Sequence, residues 1–412
     1  MNELVKLVTI KSVIPMKNKD RIVCVKFNEI AYSAIMGKTD AIVDSKVYFI
    51  REGSIVPNRP EFNLKKSSFS EKYNGYIIKP MVMGETESGE KVKSWGIVLT
   101  PQELGVDPDA NVDVEKLFNI RKYETIDQIE PKKENKFKKI LKKLKLGFLL
   151  KFYYSLSKAS SGDFPTEIIS KSDEANLGLY PDIWNQALKE NSEVVVTAKM
   201  EGQSVTCFLN NKNKLIVCSR NRAYYKDNGS IYFQVAKRYK IREQLINYKH
   251  KFGVDLVIQA EQVGPGIQNN IYCLSDNEWF VFNMRDKKRN RQLEFLEMQN
   301  TCNFIGLKTV PLLFKGNISQ ISNIEEYVEE KYWTIDKYGC NWNYHPFYNE
   351  HLYVDYFPHE GVVIRSKIYD KDKNIGFSLK VKSMNYSTQS LGYIFDKASK
   401  RKLDILDNIN DK

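Results

Sequence analysis

The sequence predicts an α+β protein in which a small β-barrel precedes a larger domain that mixes strands and helices. Residues 1–115 contain short strand candidates separated by many turn signals, a pattern typical of a small barrel. Residues 161–385 combine apolar strand candidates with longer segments of helical periodicity. With 412 residues, of which 42% are hydrophobic and 28% charged, the chain is large and apolar enough for two or three packed domains.

The barrel prediction depends on strands that are short and closely bounded by turns. Residues 22–27 and 46–50 are strand candidates. Glycine and proline turn signals interrupt the same region at Gly53, Pro57, Pro60, Asn74-Gly75 and Ser88-Gly89. An OB fold is a five-stranded barrel of about this size. We therefore predict an OB-like binding module over residues 1–115, a region in which no catalytic constellation is evident.

The larger domain is predicted over residues 161–385. Residues 194–198 and 256–258 are apolar enough for buried strands, and residues 231–249 and 324–331 have helical periodicity. Residues 386–412 are polar with scattered apolar positions, so we expect a short C-terminal helix and a frayed tail there.

A basic linker is predicted over residues 116–160. Its segment 132–151 carries nine lysines and one glutamate, a charge of +8 out of the net +12 of the whole chain. Apolar residues recur in it at helical spacing, which predicts an amphipathic helix: Phe137, Ile140, Leu141, Leu144 and Phe148. Three interpretations remain open: a solvated helix docked between domains, a clamp on a nucleic-acid backbone, and a helix on a membrane surface.

Several classes of protein are disfavoured by composition. The sequence has no apolar run long enough to span a bilayer and no secretion signal at residues 1–6, so we expect no membrane partner. The six scattered cysteines form no C-x-x-C pair, which indicates reduced thiols and a cytoplasmic location. Four histidines without paired spacing argue against zinc, so any metal should be a hard ion held by carboxylates.

The strongest chemical signal is a lysine at the end of an apolar strand. Lys199 follows residues 194–198, Glu201 comes two positions later, and Gly202 permits a sharp turn. Because burial and a neighbouring cation favour the neutral amine, the end of a buried strand is a suitable place to activate a lysine nucleophile. Taken alone, the pattern is weak evidence and fits a chance surface lysine better.

Two further segments place polar groups at strand ends. Arg220, in Ser219-Arg220-Asn221, can bind phosphate or ribose or can form a structural ion pair. Glu261 closes an apolar strand and is followed by a rigid Gly264-Pro265-Gly266 turn. Phe282, on a later strand, can stack on a purine or lie in the core.

Near the end of the domain a carboxylate and two lysines lie on neighbouring apolar strands. Glu360 precedes the strand candidate 361–365. In residues 377–383, strand alternation places Lys380 and Lys382 together on one face. Two lysines on one face repel each other unless an anion such as a triphosphate lies between them, although an exposed edge strand would show the same pattern.

Together and in order these segments resemble the signature motifs of covalent nucleotidyltransferases, the superfamily of polynucleotide ligases and capping enzymes. The segments are KMEG, SRN, AEQVGPGIQ, FVFN, EGVVIR and LKVK. The Gly-Pro-Gly element is most similar to RNA ligases, and the upstream barrel is similar to RNA ligases that carry an N-terminal OB domain. The resemblance covers residues 10–385 and implies an ATP-grasp-like ligase domain of antiparallel sheets and helices.

The resemblance implies a role for each motif residue. Lys199 would attack the α-phosphate of ATP, and Lys380 and Lys382 would hold that phosphate. Glu201, Glu261 and Glu360 would hold Mg²⁺ or Mn²⁺, directly or through its waters. The remaining nucleotide contacts would come from Arg220, Phe282 and Lys171. Glu201 departs from the aspartate that is more usual at its position, and the element around Lys171 and Glu174 lacks an expected arginine.

The implied function is ATP-dependent joining of RNA 3′-hydroxyl and 5′-phosphate ends in RNA repair, through lysyl-AMP and RNA-adenylate intermediates. The expected partners are ATP and RNA, with a nick in a duplex on an RNA or DNA template as one form of the substrate, and we expect a monomer. The alternatives are a DNA ligase, a GTP-dependent capping guanylyltransferase, and a non-catalytic RNA-binding protein on a ligase scaffold.

Overall fold

The computed structural model describes residues 3–62, 64, 69–110, 112–123, 161–172, 174–268, 270, 272, 274–329, 332–336, 339–341, 355–370 and 375–388. The basic segment 132–151, most of the predicted linker 116–160 and the predicted tail beyond residue 388 lie outside these ranges.

The N-terminal region forms a closed five-stranded barrel. The strands of the region are, in chain order, β1 Val5–Met16, β2 Lys19–Phe27, β3 Ser33–Gly37, β4 Lys46–Arg51, β5 Ser54–Pro57, β6 Phe69–Ser70, β7 Gly75–Ile77, β8 Met81–Glu85, β9 Lys91–Ser94, β10 Gly96–Leu99 and β11 Arg121–Lys122. The barrel closes in the order β1-β2-β3-β10-β4, with β4 pairing back to β1. The barrel prediction is confirmed, and the OB class within it stays a prediction.

Smaller elements flank the barrel. Strands β11, β5, β7 and β6 form a four-stranded sheet, and β8 and β9 form a hairpin. The helices are short: α1 Pro101–Leu104 and α2 Val114–Leu117. α1 begins at a capping box in which the Thr100 hydroxyl accepts from the N–H of Glu103 and the Glu103 carboxylate accepts from the N–H of Thr100.

The larger region contains two main sheets and their covering helices. Its strands are β12 Ser161–Asp163, β13 Ala175–Asn176, β14 Glu193–Ala198, β15 Gln203–Leu209, β16 Leu215–Cys218, β17 Arg222–Tyr224, β18 Leu256–Val263, β19 Glu278–Asp286, β20 Arg291–Gln292, β21 Lys308–Thr309, β22 Leu312–Asn317, β23 Tyr332–Asp336, β24 Gly339–Asn341, β25 Asp355–Pro358, β26 Gly361–Asp370 and β27 Ile375–Lys382. Its helices are α3 Pro181–Lys189, α4 Ile231–Arg238, α5 Ile241–Phe252, α6 Phe295–Ile305, α7 Ile324–Glu329 and α8 Met384–Thr388.

The first sheet has the order β12-β17-β16-β15-β18-β19-β20, with β21 paired to β19. Residues of α4, α5 and α6 bury its face in a core that includes Ile241, Ile258 and Ile305. The second sheet has the order β13-β27-β26-β14-β22, and α3 and α7 contribute to its core around Val196 and Ile364. Because β14 belongs to the second sheet and β15 to the first, residues 199–202 cross between them.

The barrel shares a core with the larger region. Leu179 and Met384 are buried in the barrel cluster together with Tyr32 and Phe49. The N–H of Ala31 donates to the Gly178 carbonyl at 2.8 Å. A Cβ at Gly178 would lie only 2.2 Å from a ring carbon of Tyr32, so glycine is required for this close approach. The barrel is therefore held against the segments that follow β13 and β27 of the second sheet.

The strand predictions are confirmed, and the segment predicted to be helical over residues 231–249 is helical with one interruption. Residues 22–27, 46–50, 194–198 and 256–258 lie within β2, β4, β14 and β18. The helix predicted over 231–249 is two helices, because α4 ends at Arg238 and Lys240 adopts a left-handed φ of 50°. None of the helices in the described ranges has the length and apolar content that a membrane span needs.

Candidate active site

Lys199 lies where the two sheets meet. The strand pairing of Ala198 with Val362 brings it beside the start of β26, and its N–H donates to the Gly361 carbonyl at 3.0 Å. A Cβ at Gly361 would meet the Val381 carbonyl oxygen at 2.1 Å, so only glycine lets β26 approach β27 this closely. The register thus brings Lys199, Glu360 and β27 together although they are distant in sequence.

Three carboxylates act on the Lys199 ammonium. Lys199 forms an ion pair with Glu360, and its side chain is 25% exposed. Burial alone would lower the pKa of Lys199, but the charges of Glu360, Glu261 and Glu201 outweigh it and raise that pKa. In this arrangement burial alone does not leave the amine neutral, because three carboxylates act on the lysine.

The Glu261 carboxyl group is also shifted in its pKa. Burial raises its pKa to about 8, with a further contribution from the Glu360 carboxylate and partial compensation by the charges of Lys199 and Arg220. A carboxyl group with this pKa is poised to gain stabilisation from added positive charge. The electrostatics of the site therefore favour a cation or a positively charged group near Glu261.

The donor set fits a hydrated hard cation. Glu201, Glu261 and Glu360 supply only carboxylate oxygens, the ligands that Mg²⁺ and Mn²⁺ prefer. In the part of the chain that the structure describes, no three acidic, histidine or cysteine side chains converge tightly enough for direct coordination. These residues would hold a divalent ion directly or through its waters, and their role as metal residues stays a prediction.

The first sheet supplies the groups predicted to bind the nucleotide. Phe282, on β19, is partly buried and packs against the apolar cluster that contains Ala198 and Met200, the residues on either side of Lys199. Arg220, in the turn after β16, is close enough for its charge to act on Glu261. Lys171 donates from Nζ to Asn221 Oδ1 at 2.7 Å, so it lies next to Arg220.

Glu174 has a different partner. Its carboxylate accepts from Arg365 of β26 at 2.7 Å. Both side chains are mostly buried, so this ion pair connects the segment before β13 to the second sheet.

The Gly-Pro-Gly loop braces the turn after Lys199. Gln268 Nε2 donates to the Gly202 carbonyl at 3.1 Å. A Cβ at Gly202 would lie 2.4 Å from the Gln262 carbonyl oxygen, so the turn packs directly on β18. The N–H of Glu201 donates to Tyr272 Oη at 2.5 Å. The lysine turn is therefore fixed from both sides.

Lys380 and Lys382 share a face of β27, as the alternation predicted. Leu379 and Val381 are buried on the opposite face. Burial and the charges of Lys382 and Lys199 lower the pKa of Lys380 to about 7. Lys382 Nζ donates to Glu52 Oε2 of the barrel at 3.0 Å. Lys380 is thus the lysine whose charge is unfavourable until an anion arrives.

Sequence reasoning missed three residues of the site. Tyr272 receives the Glu201 N–H, and Tyr386 of α8 hydrogen-bonds the Glu201 side chain. Glu52 lies in the barrel, far from every motif in sequence, and reaches Lys382. A tyrosine or glutamate without a motif around it gives no pattern that periodicity can detect.

The chain is similar to RNA ligases in part of its sequence and in its fold. Residues 192–382 match the RNA ligase family. The fold is similar to that of Naegleria gruberi RNA ligase solved with pyrophosphate, at 18% identity and a TM-score of 0.66, covering 94% of this chain and 98% of that one. A variant of that ligase with ATP and manganese gives 19% identity, a TM-score of 0.67 and coverage of 93% and 98%.

Another variant of the Naegleria gruberi ligase, with AMP and manganese, gives 18% identity and a TM-score of 0.65, with coverage of 93% of this chain and 98% of that one. At these identities the likeness establishes a common fold along nearly the whole chain. No curated protein sequence was found that matches the chain.

Proposed function

We propose that the protein is an ATP-dependent RNA ligase that joins 3′-hydroxyl and 5′-phosphate ends, a proposal supported by the match of residues 192–382 to the RNA ligase family. The observation that carries the proposal is the position of Lys199. It lies between two sheets. Glu360 forms an ion pair with it, the charge of Glu261 acts on it, and its own charge acts on Lys380 of β27.

The first step is transfer of AMP to the protein. The neutral Nζ of Lys199 attacks the α-phosphorus of ATP, a nitrogen–phosphorus bond forms, and the bond from that phosphorus to the bridging oxygen breaks to release pyrophosphate. Lys380 and Lys382 hold the phosphate oxygens as negative charge builds up on them. Phe282 and Arg220 orient the nucleoside so that Lys199 and the leaving group lie on opposite sides of the phosphorus.

Proton loss from Lys199 has to precede attack. The three carboxylates raise the pKa of Lys199, so the step needs positive charge that offsets them. When bound, a divalent cation would supply that charge and stabilise the phosphate oxygens. Glu201, Glu261 and Glu360 are the residues that would hold it, and Tyr272 and Tyr386 keep Glu201 in place.

The next two steps move AMP to RNA and displace it. An oxygen of the RNA 5′-phosphate attacks the AMP phosphorus, the bond to Lys199 breaks, and an RNA-adenylate forms. The 3′-hydroxyl oxygen then attacks the phosphorus of the original 5′-phosphate, and AMP leaves. Each step is attack at phosphorus, so the same cationic groups serve all three.

The N-terminal barrel is proposed to be an OB-like RNA-binding module, and the natural task is proposed to be RNA repair. The barrel's closed five-stranded order is that of a small barrel able to present a strand face to nucleic acid. The basic segment 132–151 adds charge that binds phosphates by counterion release.

A sealing assay tests the proposed function. Nicked duplexes with RNA or DNA on each side of the nick are incubated with ATP or GTP and a divalent cation, and the products are separated under denaturing conditions. We expect sealing with ATP when the 3′-hydroxyl strand is RNA, and none with the Lys199→Ala variant. Sealing of DNA alone, or covalent labelling by GTP alone, would instead indicate a DNA ligase or a capping enzyme. RNA binding without labelling by either nucleotide would indicate a non-catalytic protein.

A further inference from the structure

Glu52 of the barrel is fixed against the phosphate-binding strand of the other region. It follows β4, its N–H donates to the Trp95 carbonyl at 2.8 Å, and it is 3% exposed. The next N–H, of Gly53, donates to the Ile78 carbonyl at 2.9 Å. Both hydrogen bonds hold the turn, so the carboxylate projects from a rigid part of the barrel.

The Glu52 carboxylate makes contacts across the interface. Oε2 accepts from Lys382 Nζ at 3.0 Å, and Oε1 lies 3.5 Å from Asn176 Nδ2. Asn176 pairs with Lys380 in the parallel ladder between β13 and β27. Glu52 therefore contacts one lysine of the β27 pair and the strand that borders the other.

Charge balance makes this contact specific. Burial opposes ionisation of Glu52, yet the charges of Lys382 and Arg51 lower its pKa, so the carboxylate is ionised in the barrel interface. Among the described residues, Lys382 has this ion pair, whereas no ion pair to Lys380 is formed. The two lysines thus differ: Lys382 is held by the protein, and Lys380 is left for an incoming anion.

We propose that Glu52 is a positioning residue of the ligase reaction, which holds the Lys382 ammonium beside Lys380 so that both face the phosphates of ATP. The inference rests on the proposed function. Lys382 has three N–H donors, so it can keep Glu52 and still bind a phosphate oxygen. Seating of the barrel on the second sheet therefore completes the phosphate site, and the barrel takes part in the chemistry as well as in RNA binding.

A rival mechanism makes a different prediction from the same contact. If Glu52 occupied the place of a phosphate, removing its charge would strengthen ATP binding and leave the rate at saturating ATP unchanged. If Glu52 positions Lys382, removing its charge lets the ammonium move, and the rate falls while the ATP concentration at half-saturation changes little. A misplacement on the order of 1 Å is enough to slow a reaction substantially.

The test measures single-turnover formation of the protein–AMP adduct across a range of ATP concentrations. For Glu52→Gln we expect the rate at saturating ATP to fall about tenfold or more, with less than about a threefold change in the half-saturating concentration. Glu52→Asp keeps the negative charge but shortens the side chain by one methylene, so the carboxylate lies further from Lys382 and the rate should be intermediate. The matched control is Glu29→Gln. The Glu29 carboxylate accepts hydrogen bonds from Thr9 and not from Lys382, so the rate of adduct formation in this variant should match that of the wild type.

The outcomes separate the alternatives. A wild-type rate for Glu52→Gln, or an unchanged rate with tighter ATP binding, would overturn the inference. Thermal unfolding of each variant shows that it is folded at the assay temperature. If Glu52→Gln does not fold, Glu52→Asp decides, and a wild-type rate for it would overturn the proposal. Failure of the wild type to form an adduct would contradict the proposed function. A slow variant beside an active wild type would leave the proposed function intact.

Discussion

Replacing Lys380 by methionine is expected to stabilise the folded protein while it disables phosphate binding. The same replacement at Lys382, two residues along the same face of β27, is expected to destabilise it. The difference arises from their surroundings. Burial and the charges of Lys382 and Lys199 oppose ionisation of Lys380, whereas Lys382 is paired with the buried Glu52 carboxylate.

The magnitude for Lys380 follows from its pKa. The environment lowers that pKa from 10.5 to about 7, and each pKa unit corresponds to about 1.4 kcal/mol. Charged Lys380 therefore costs on the order of 4 kcal/mol of folding free energy at neutral pH. Methionine keeps much of the apolar stem and removes the ammonium, so we expect the free energy of unfolding to rise by about 1–4 kcal/mol.

The magnitude for Lys382 follows from the pair that would be broken. Lys382→Met leaves the Glu52 carboxylate buried without its closest cation, and breaking a buried pair in this way costs about 3–5 kcal/mol. Because Lys382 is 25% exposed, the cost should be smaller, and we expect the free energy of unfolding to fall by about 2–3 kcal/mol.

Urea unfolding of the wild type and both variants at pH 7, followed by tryptophan fluorescence, measures both effects. Adduct formation with labelled ATP is measured in parallel, and both variants should be slow. Shifts of the unfolding free energy in the same direction for the two variants would contradict the different electrostatic surroundings of Lys380 and Lys382.

Urea unfolding at higher pH tests whether the Lys380 charge destabilises the folded protein. The folded-state pKa of Lys380 is about 7 and the unfolded-state pKa is about 10.4, so the unfolded chain binds more protons between these values. The wild type should therefore gain stability relative to Lys380→Met as the pH rises from 7 toward 10, and the gap between them should close. A gap that stays constant with pH would mean that the Lys380 charge is not the cause.

The remaining predictions concern the lysine turn, the strand crossing and the basic segment. Tyr272→Phe leaves the Glu201 N–H without its acceptor and should cost about 1–3 kcal/mol in unfolding free energy while slowing adduct formation; wild-type values for both would contradict this. Gly361→Ala drives a Cβ into the Val381 carbonyl oxygen, and we expect a loss of about 1–3 kcal/mol or more by urea unfolding. Replacing several lysines of 132–151 should weaken RNA sealing and flatten its salt dependence without affecting adduct formation, and unchanged sealing at every salt concentration would assign the segment a structural role.

Much of the site could be predicted because its residues lie in strands with clear periodicity. The alternation in 377–383 predicted that Lys380 and Lys382 share a face, and the apolar run before Lys199 predicted a strand that delivers it to a turn. In both segments the local pattern determines the local structure, since a strand with one buried face has only one register that buries it.

The parts that could not be predicted depend on contacts between distant segments. No local pattern indicates that Glu52 reaches Lys382, because the contact depends on how the barrel docks on the larger region. The rise in the pKa of Lys199 depends likewise on distant segments, since Glu360 precedes β26 and Glu261 lies on β18. The break at Lys240 was missed because helical periodicity continues across it while one residue takes a left-handed conformation.

The identity of the nucleophile is the central claim, and peptide mapping of the protein–AMP adduct tests it most directly. Wild-type protein is incubated with ATP and a divalent cation without RNA, digested, and analysed by mass spectrometry. We expect a single AMP addition on the peptide that contains Lys199, which disappears when RNA with a 5′-phosphate is added. An addition on a different residue, or an adduct that persists in the Lys199→Ala variant, would contradict this claim.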